Sequence, residues 1–331
     1  GSVGENSSTS VVVYTATATD AESNPISYSL SGADAGQLTI NSSTGVVRLV
    51  SAANYEVKNA YNINIVASDG AASSTKAVTI SVTDVNENLV FSGAASGSVA
   101  ENAATSTVVY TATATDPEGA TVNYKLSGTD AASFNIDSTT GAITLKASAD
   151  YETKSSYSLN LLAVDGVNTG LKVITVAVTN VNEKPAITAP ASQSVNQATA
   201  TALTGISVTD PDSGSNMLTL SFSAPAGTFA ATSGSGVTAL GSGTSSLTLT
   251  GTQTNLNSFI TASKVTYTTA AGATGTVTLS IGSNDGGNSG SGGTQTDSAT
   301  ETLNIAVANA APTITSGASG SVAENAPTST V

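Results

Sequence analysis

Apolar side chains recur at every second position in several stretches of the chain. The clearest rows are Val12, Tyr14, Ala16 and Ala18; Tyr61, Ile63, Ile65 and Ala67; and Val78, Ile80 and Val82. A period of two places alternate side chains on one face of a β-strand, so these rows predict strands half-buried against a core. Val and Thr are frequent in the rows, and Gly, Ser, Asn and Asp interrupt them at roughly 8 to 12 residue intervals, which is typical of an all-β sandwich.

One short helix is predicted within this β pattern. Leu256, Phe259 and Ile260 have the i, i+3, i+4 spacing of a helix face, and Thr252 or Thr254 can cap its first turn. No other segment has helical periodicity, so the fold class is all-β.

The chain contains an internal repeat. Ser2–Asn88 aligns without a gap with Ser98–Lys184, and a third copy of the opening, GSVAENAPTSTV, begins at Gly320. We therefore predict two repeats over 1–88 and 89–184, an unlike domain over 185–311, and the opening strand of a further repeat over 312–331. This order is typical of a segment of a long array, and the first repeat is expected to lack the strand that precedes its GSVGEN sequence.

Composition excludes several classes of function. The net charge of −14 comes from 23 acidic and 9 basic residues, and so few scattered Lys and Arg form no patch for a nucleic acid. The chain has no His and no Cys, which excludes disulfides, thiolate or imidazole metal sites and the usual catalytic triads. No apolar run reaches the length of a transmembrane segment, and no signal peptide is evident.

A glycosidase-like pair of carboxylates is a further alternative, but it needs a cleft and aromatic side chains that stack on sugars. The chain has no Trp and only 4% aromatic residues, so we predict that it is not an enzyme. The remaining chemistry is that of carboxylate, amide and hydroxyl oxygens, which are ligands of hard cations and above all of Ca²⁺.

Most of the acidic residues lie at strand ends or in short recurring motifs. Five of the 23 lie elsewhere, namely Asp34, Asp130, Asp137, Asp297 and Glu301, which leaves 18. Asp69 lies two positions after Ala67, and Asp84 lies two positions after Val82. Each acid therefore continues the row of inward-facing side chains of its strand. Such carboxylates are expected at the end of the domain, where the next domain joins.

Five acidic motifs occur in the same order in both repeats. They are GEN or AEN (Gly4–Asn6, Ala100–Asn102), DxE (Asp20 and Glu22, Asp116 and Glu118), xYE (Asn54–Glu56, Asp150–Glu152), AxDG (Ala67–Gly70, Ala163–Gly166) and a linker (DVNEN at Asp84–Asn88, NVNEK at Asn180–Lys184). This ordered set resembles the cadherin repeat. The unlike domain, with VTDPD, LTLTG, VTYTT and SNDGG, resembles the Ig-like and cadherin-like repeats of very large bacterial adhesins.

The resemblance implies tandem Greek-key β-sandwich domains in an elongated array, with calcium at the junctions. At the first junction the implied ligands are Glu5, Asn54, Glu56, Asp84, Asn86, Glu87 and Asn88 with Asp116, Glu118 and Asp165. At the second they are Glu101, Asp150, Glu152, Asn180, Asn182 and Glu183 with Asp210, Asp212 and Asp285.

Departures from the family pattern modify this expectation. In the first repeat, Asn54 stands where the family pattern has an acid. In the second linker, Asn180 and Lys184 stand where the first linker has Asp84 and Asn88. Because the charge of the ligands sets the affinity for calcium, the second junction is expected to bind fewer or weaker ions. Gln197 stands where the repeats have Glu, and VANAAP ends the unlike domain without acids, so a third junction is expected to bind little or no calcium.

A physical argument supports a cation independently of the resemblance. Two carboxylates about 4 Å apart repel by about 4 kcal/mol at an effective dielectric constant near 20, so a converging set needs a counter-charge. The competing interpretation is that these are ordinary turn-forming Asp and Asn residues. The order of the motifs favours calcium.

The leading functional hypothesis is a non-catalytic structural and adhesive segment of a bacterial extracellular stalk or filament, made rigid by calcium. One alternative is a polymerising subunit, in which the strand of 312–331 completes the first repeat of an identical chain. Another is a carbohydrate- or partner-binding module. The expected partners are further repeats of the same chain, identical chains, glycans or cell-surface proteins.

Overall fold

The computed structural model describes residues 1–287, 289–307, 312–315 and 324. These residues fall into two compact units, Gly1–Val178 and Thr179–Val331. The first unit holds both repeats and the second holds the unlike domain. The all-β prediction is confirmed. Most of the strand predicted over 312–331 lies outside the described residues.

The first repeat is a sandwich of two sheets. Its strands are β1 (Ser2–Gly4), β2 (Tyr14–Thr15), β3 (Ser27–Ser31), β4 (Leu38–Ile40), β5 (Val46–Leu49), β6 (Ala60–Ser68) and β7 (Ser73–Thr83). One sheet has the order β1-β7-β6-β3 and the other β2-β5-β4, with β1 parallel to β7. The core lies between them, and Val47 and Ile80 are fully buried. The inward rows predicted in β6 and β7 are confirmed.

The second repeat has the same arrangement with one additional pair of strands. Its strands are β8 (Val90–Ser92), β9 (Ser96–Ala100), β10 (Val108–Thr111), β11 (Thr113–Thr115), β12 (Asn123–Ser127), β13 (Phe134–Ile136), β14 (Ala142–Leu145), β15 (Ser156–Val164) and β16 (Thr169–Thr179). The sheets are β12-β15-β16-β9, β10-β14-β13 and β11-β8. Their inward residues form one core around Ile143, Leu159 and Leu161.

The row predicted from Val12 to Ala18 was wrong in part. Val13 and Ala16 are buried, whereas Val12 and Ala18 are exposed. The equivalent stretch of the second repeat, Val108–Tyr110 in β10, shows the reason. There the pairing of β10 with β14 shifts register between Val108 and Tyr110. Such a bulge turns two consecutive side chains inward and breaks the period of two.

The third domain is a larger sandwich. Its strands are β17 (Ala186–Thr188), β18 (Ser192–Asn196), β19 (Thr201–Ala202), β20 (Ser207–Thr209), β21 (Met217–Ser223), β22 (Thr228–Ala230), β23 (Val237–Leu240), β24 (Ser246–Thr252), β25 (Thr266–Thr268), β26 (Thr276–Asn284) and β27 (Thr296–Ala306). They form the sheets β18-β27-β26-β21-β24-β23, β19-β25-β22 and β17-β20. Phe222, Phe229 and Tyr267 lie at the centre of the core.

The predicted helix is present as α1, Gln253–Thr261. The Thr252 side chain accepts a hydrogen bond from Asn255 N at 3.3 Å, which confirms it as the cap. Leu256, Phe259 and Ile260 are buried on one face of the helix. Within the described part of the chain, no helix is long and apolar enough to cross a membrane.

Candidate metal centre

Glu5 anchors the acidic residues at the junction of the two repeats. It directly follows β1, and the next residue, Asn6, adopts a left-handed conformation with φ of 56°. The Glu5 side chain is only 3% exposed and accepts hydrogen bonds from Tyr55 N and Val85 N, each at 2.8 Å. These backbone donors, Tyr55 first, lower the pKa of Glu5 and hold it as an anion.

Two groups of three carboxylates form around this anchor. One contains Glu5, Glu56 and Asp84, and the other contains Glu56, Glu87 and Glu118. Within each group, one oxygen from each residue lies within 4.8 Å of the others. Glu56 belongs to both groups. The pKa of Glu56 is raised overall. The hydrogen bond from its own backbone N–H is the largest single influence and lowers this pKa, but burial and the negative charges of Glu5 and Glu118 together outweigh it.

Glu87 and Glu118 are in direct contact. Glu118 Oε1 accepts a hydrogen bond from Glu87 N at 2.9 Å, and Glu87 Oε1 accepts one from the Asn6 side chain. The contact with Glu118, followed by burial, raises the pKa of Glu87 to about 7, and the same contact lowers the pKa of Glu118. Without a cation, the repulsion between these two carboxylates is therefore smallest when they share one proton.

Asp116 and Asp165 add two further carboxylates from the second repeat. Asp116 Oδ1 accepts a hydrogen bond from Ala120 N at 3.0 Å. Asp165 Oδ1 accepts two, from Val167 N and Asn168 N, each at 2.6 Å. The Val167 donor is the main reason that the pKa of Asp165 is lowered. In both residues the backbone fixes one oxygen and leaves the other, Oδ2, available.

Four buried carboxylate oxygens at this junction have no hydrogen-bond partner among the described residues. They are Glu87 Oε2, Glu118 Oε2, Asp116 Oδ2 and Asp165 Oδ2. A buried polar atom without a partner is destabilising, and the cost is larger when the group is charged. Ca²⁺ binds six to eight oxygens in flexible geometry, so a set of carboxylates fixed through one oxygen suits it. The residues present fit a calcium site.

Other residues predicted for the first junction have different surroundings. Asn54 is exposed, and its Oδ1 accepts a hydrogen bond from Val57 N at 2.7 Å, as a turn residue does. The Asn86 side chain donates to Glu87 O at 3.2 Å, and Asn88 is exposed. Whether these three contribute ligands stays a prediction.

Two residues of the junction were not predicted from the sequence. Asn6 donates to Glu87, and the Asn168 side chain donates to Glu87 O at 2.6 Å. Asn6 is the last residue of the GEN motif and was a visible candidate. Asn168 lies beyond the AxDG motif, and only the folded chain brings it to the linker.

The second unit contains its own acidic cluster. Asp210, Asp212, Asp285 and Asn182 are all buried. The Asn182 side chain donates to Asp285 Oδ2 at 2.5 Å, and Glu183 N donates to Asp212 Oδ2 at 2.5 Å. Burial is the main reason that the pKa of Asp210 is raised. Asp210 Oδ2 and Asp212 Oδ1 are buried without a hydrogen-bond partner in the described part of the chain.

The remaining residues predicted for the second junction belong to two units, with Glu101, Asp150 and Glu152 in the first and Asn180 in the second. Glu101 is buried in the first unit and accepts a hydrogen bond from Tyr151 N at 2.8 Å, as Glu5 does from Tyr55. Asp150 accepts from Thr153 N, which lowers its pKa, and Glu152 is exposed. Asn180 contributes its backbone carbonyl to Ser291 N at 3.1 Å. That these residues share an ion stays a prediction.

Gln197 occupies the position of Glu5 and Glu101 in the third domain. Its side chain donates to Ala273 O at 2.7 Å, so an amide forms a neutral hydrogen bond where the repeats present a carboxylate. That a third junction binds little or no calcium stays a prediction. The residues 308–311 of the following linker lie outside the described chain.

Comparison with known proteins identifies related sequences. The profile of the family described as "Cadherin domain" matches residues 1–83 and 95–182. Mouse "Protocadherin Fat 4" is 37% identical over 171 residues, which are 48% of this chain and 3% of that protein. Mouse "Cadherin-23" is 33% identical over 246 residues, which are 67% of this chain and 7% of that protein. The chain therefore spans a small fraction of the length of these relatives.

Solved structures show the same fold. "Crystal structure of human CDH23 EC21-23" has a TM-score of 0.60 at 19% identity and covers 91% of this chain and 96% of that one. "Crystal Structure of Mouse Cadherin-23 EC22-24" has a TM-score of 0.53 at 22% identity, with 93% and 95% covered. At these identities the likeness concerns the fold alone. The relatives named here are animal proteins, and nothing among them supports the bacterial origin expected from the sequence.

Proposed function

Because the chain belongs to the cadherin family, we propose that it is a calcium-stabilised adhesive segment of a larger extracellular protein. Cadherin domains are non-catalytic adhesion modules, and the chain is accordingly not an enzyme. We place it at the cell surface. Its proposed partners are further cadherin repeats, in the same chain or in identical chains.

The observation that carries this proposal is the set of four buried carboxylate oxygens without partners at the junction of the repeats. They come from the linker residue Glu87 and from three acids of the second repeat, and they lie beside the group formed by Glu5, Glu56 and Asp84 of the first. An ion held by both sides would neutralise their repulsion. It would also fix the linker, because ligands from two domains then share one centre.

The test is a calcium titration followed by small-angle scattering and thermal melts. We expect calcium to raise the melting temperature of the first two domains and to narrow the distribution of interdomain distances. Asp165→Asn should weaken both effects, because it removes charge from a ligand oxygen. Asp137→Asn is the matched control, since Asp137 lies outside the junction and only caps a turn through Thr139 N and Thr140 N.

Two results would contradict the proposal. One is a melting temperature and a maximum dimension that are the same in chelator and in millimolar calcium. The other is a calcium response that Asp165→Asn and Asp137→Asn reduce equally, because the effect would then be general charge screening rather than binding at the junction.

A further inference from the structure

The loop before the last strand of the third domain is longer than its counterpart in the second repeat. Residues 165–168 join β15 to β16, whereas residues 285–295 join β26 to β27, and both loops begin with Asp-Gly. The base of the longer loop is closed, because Asp285 N donates to Gln295 O at 3.2 Å and Asp285 Oδ1 accepts from Gln295 N at 2.8 Å. The additional length includes residues 289–294, which we call the glycine loop.

The glycine loop pairs with the second linker through a short β-bridge. Val181 and Ser291 lie opposite each other in parallel orientation. Asn182 N donates to Ser291 O at 2.7 Å, and Ser291 N donates to Asn180 O at 3.1 Å. All of these residues belong to the second unit. The main chain of the linker is therefore bound to the third domain itself.

The side chain of Asn182 adds two hydrogen bonds to this contact. Its Nδ2 donates to Gly293 O at 2.7 Å and to Asp285 Oδ2 at 2.5 Å. Both neighbours are acceptors, so they determine which end of the carboxamide faces them. The counterpart of Asn182 in the first linker is Asn86, which donates to the carbonyl of the next residue, Glu87, at 3.2 Å. The short loop of the second repeat has no residues equivalent to Ser291 and Gly293.

An ion pair holds the downstream end of the second linker. Lys184 Nζ lies 2.5 Å from Asp297 Oδ1, and Asp297 Oδ2 accepts a hydrogen bond from Ile187 N at 2.9 Å. Lys184, followed by Ile187 N, lowers the pKa of Asp297 and keeps this carboxylate ionised. The first linker has Asn88 in place of Lys184 and cannot form such a pair.

Gly290 is required where the loop approaches the linker. An added Cβ would overlap Asn180 Oδ1 and Asn182 N and would lie 2.8 Å from Val181 C. Gly290 also has φ of 70°, which favours glycine. Gly293 has φ of 71°, but an added Cβ would have no neighbour within 4 Å. The two glycines thus have the same backbone conformation, and only Gly290 is also needed for contact with the linker.

From these contacts we propose that the glycine loop is a clamp that holds the second linker, Asn180–Lys184, on the third domain without a metal ion. The clamp consists of hydrogen bonds and one Lys–Asp ion pair, and none of them needs a cation between the partners. Gly290 and Ser291 are positioning residues, since they fix Asn182 and contact no proposed ion. The clamp goes beyond the proposed function, because the order of this linker then does not depend on calcium.

Hydrogen exchange of the full chain in chelator, followed by NMR, tests the clamp. We expect the amides of Asn182 and Ser291 to be protected without calcium. Gly290→Ala should speed their exchange about tenfold or more beyond the change caused by Gly293→Ala, because only the first substitution also breaks the two backbone hydrogen bonds of the bridge. Gly293→Ala is the matched control, since it introduces the same strain at positive φ without the overlap. Protection at Leu220 in the core sheet reports whether the third domain stays folded.

Two results would overturn the proposal. One is exchange at Asn182 and Ser291 in chelator that is as fast as in an unfolded peptide, with protection only after calcium is added, because an ion would then hold the linker. The other is equal acceleration by Gly290→Ala and Gly293→Ala while Leu220 stays protected, because strain within the loop would then explain the effect. The first measurement needs no substitution, so it decides the matter even if Gly290→Ala unfolds the domain.

The use of chelator separates the clamp from the calcium proposal. A first junction that does not respond to calcium would contradict the calcium-stabilised function and leave the clamp unaffected. Fast exchange at Asn182 in chelator would contradict the clamp and leave the calcium site of the first junction unaffected.

Discussion

Glu301 is a carboxyl side chain in the apolar core of the third domain, and its removal is expected to stabilise that domain. It lies in β27 opposite Leu279 of β26 and is 1% exposed. Both of its oxygens are without hydrogen-bond partners among the described residues. When the parallel pair β18–β27 of the third domain is aligned with the pair β1–β7 of the first repeat, Glu301 falls at the position of Val78.

The magnitude follows from the pKa. Burial raises the pKa of Glu301 from its ordinary value of 4.5 to about 7. At 1.36 kcal/mol per pKa unit, ionised Glu301 costs the folded domain about 3 kcal/mol. The folded state holds the proton more tightly than the unfolded state. This cost is therefore absent below about pH 4.5, grows as the pH rises, and is fully present above about pH 7.

Calorimetry and hydrogen exchange at pH 5 and pH 8, in chelator, measure this effect. Between pH 5 and pH 8 the free energy of unfolding should fall by about 2 to 3 kcal/mol, which lowers the melting temperature of the third domain by roughly 5 to 10 °C. Glu301→Gln should abolish this component, and Glu301→Val should also raise the stability at both pH values. Glu22→Gln, at an exposed position of the first repeat, is the control.

The reasoning is refuted if Glu301→Gln and the unsubstituted chain lose the same stability between pH 5 and pH 8. It is also refuted if Glu301→Val destabilises the domain, because a buried acid without a partner would then contribute to stability. Exchange rates in β26 and β27 localise the change to this sheet.

Three further predictions concern single contacts. Asp130→Ala removes the ion pair with Lys154 at 2.5 Å and the hydrogen bond from Ser158 N, so urea unfolding should show a loss of about 1.5 to 3 kcal/mol in the second repeat. Thr252→Ala removes the cap of α1 and should cost about 1 kcal/mol, seen as faster amide exchange in the helix. Phe91→Ala opens the covered edge of the second repeat and should lower its stability by about 2 to 3 kcal/mol in thermal melts.

The alternating rows of the long strands were readable from the sequence because each row packs on a single core. Tyr61, Ile63 and Ile65 face inward as the period of two requires. The row from Val12 failed because a bulge depends on the partner strand, whose register the local sequence does not contain. The helix was predictable because spacing and cap agree at Thr252 and Leu256.

For the acidic residues too, some features could be predicted from the sequence and others could not. The recurring motifs predicted that Glu5, Glu56, Asp84, Glu87 and Glu118 belong together, and the structure brings them into two overlapping groups. The sequence does not reveal which oxygens the backbone occupies, since Tyr55 N and Val85 N reach Glu5 only after folding. The burial of Glu301 could not be predicted either, because a single acidic residue in a strand is normally expected at the surface.

The parallel pairing of β1 with β7 in the first repeat, and of β18 with β27 in the third domain, determines how these domains respond to a pulling force. In the first repeat Ser2 lies opposite Ser81 and Gly4 opposite Thr83, so tension on the two ends of the domain draws β1 and β7 past each other along their length. The bonds between the strands are then loaded together in shear rather than opened one after another. The third domain repeats this with β18 and β27, where five residue pairs from Ser192 to Asn196 share the load. Extension of the chain would therefore meet its resistance first at these strand pairs.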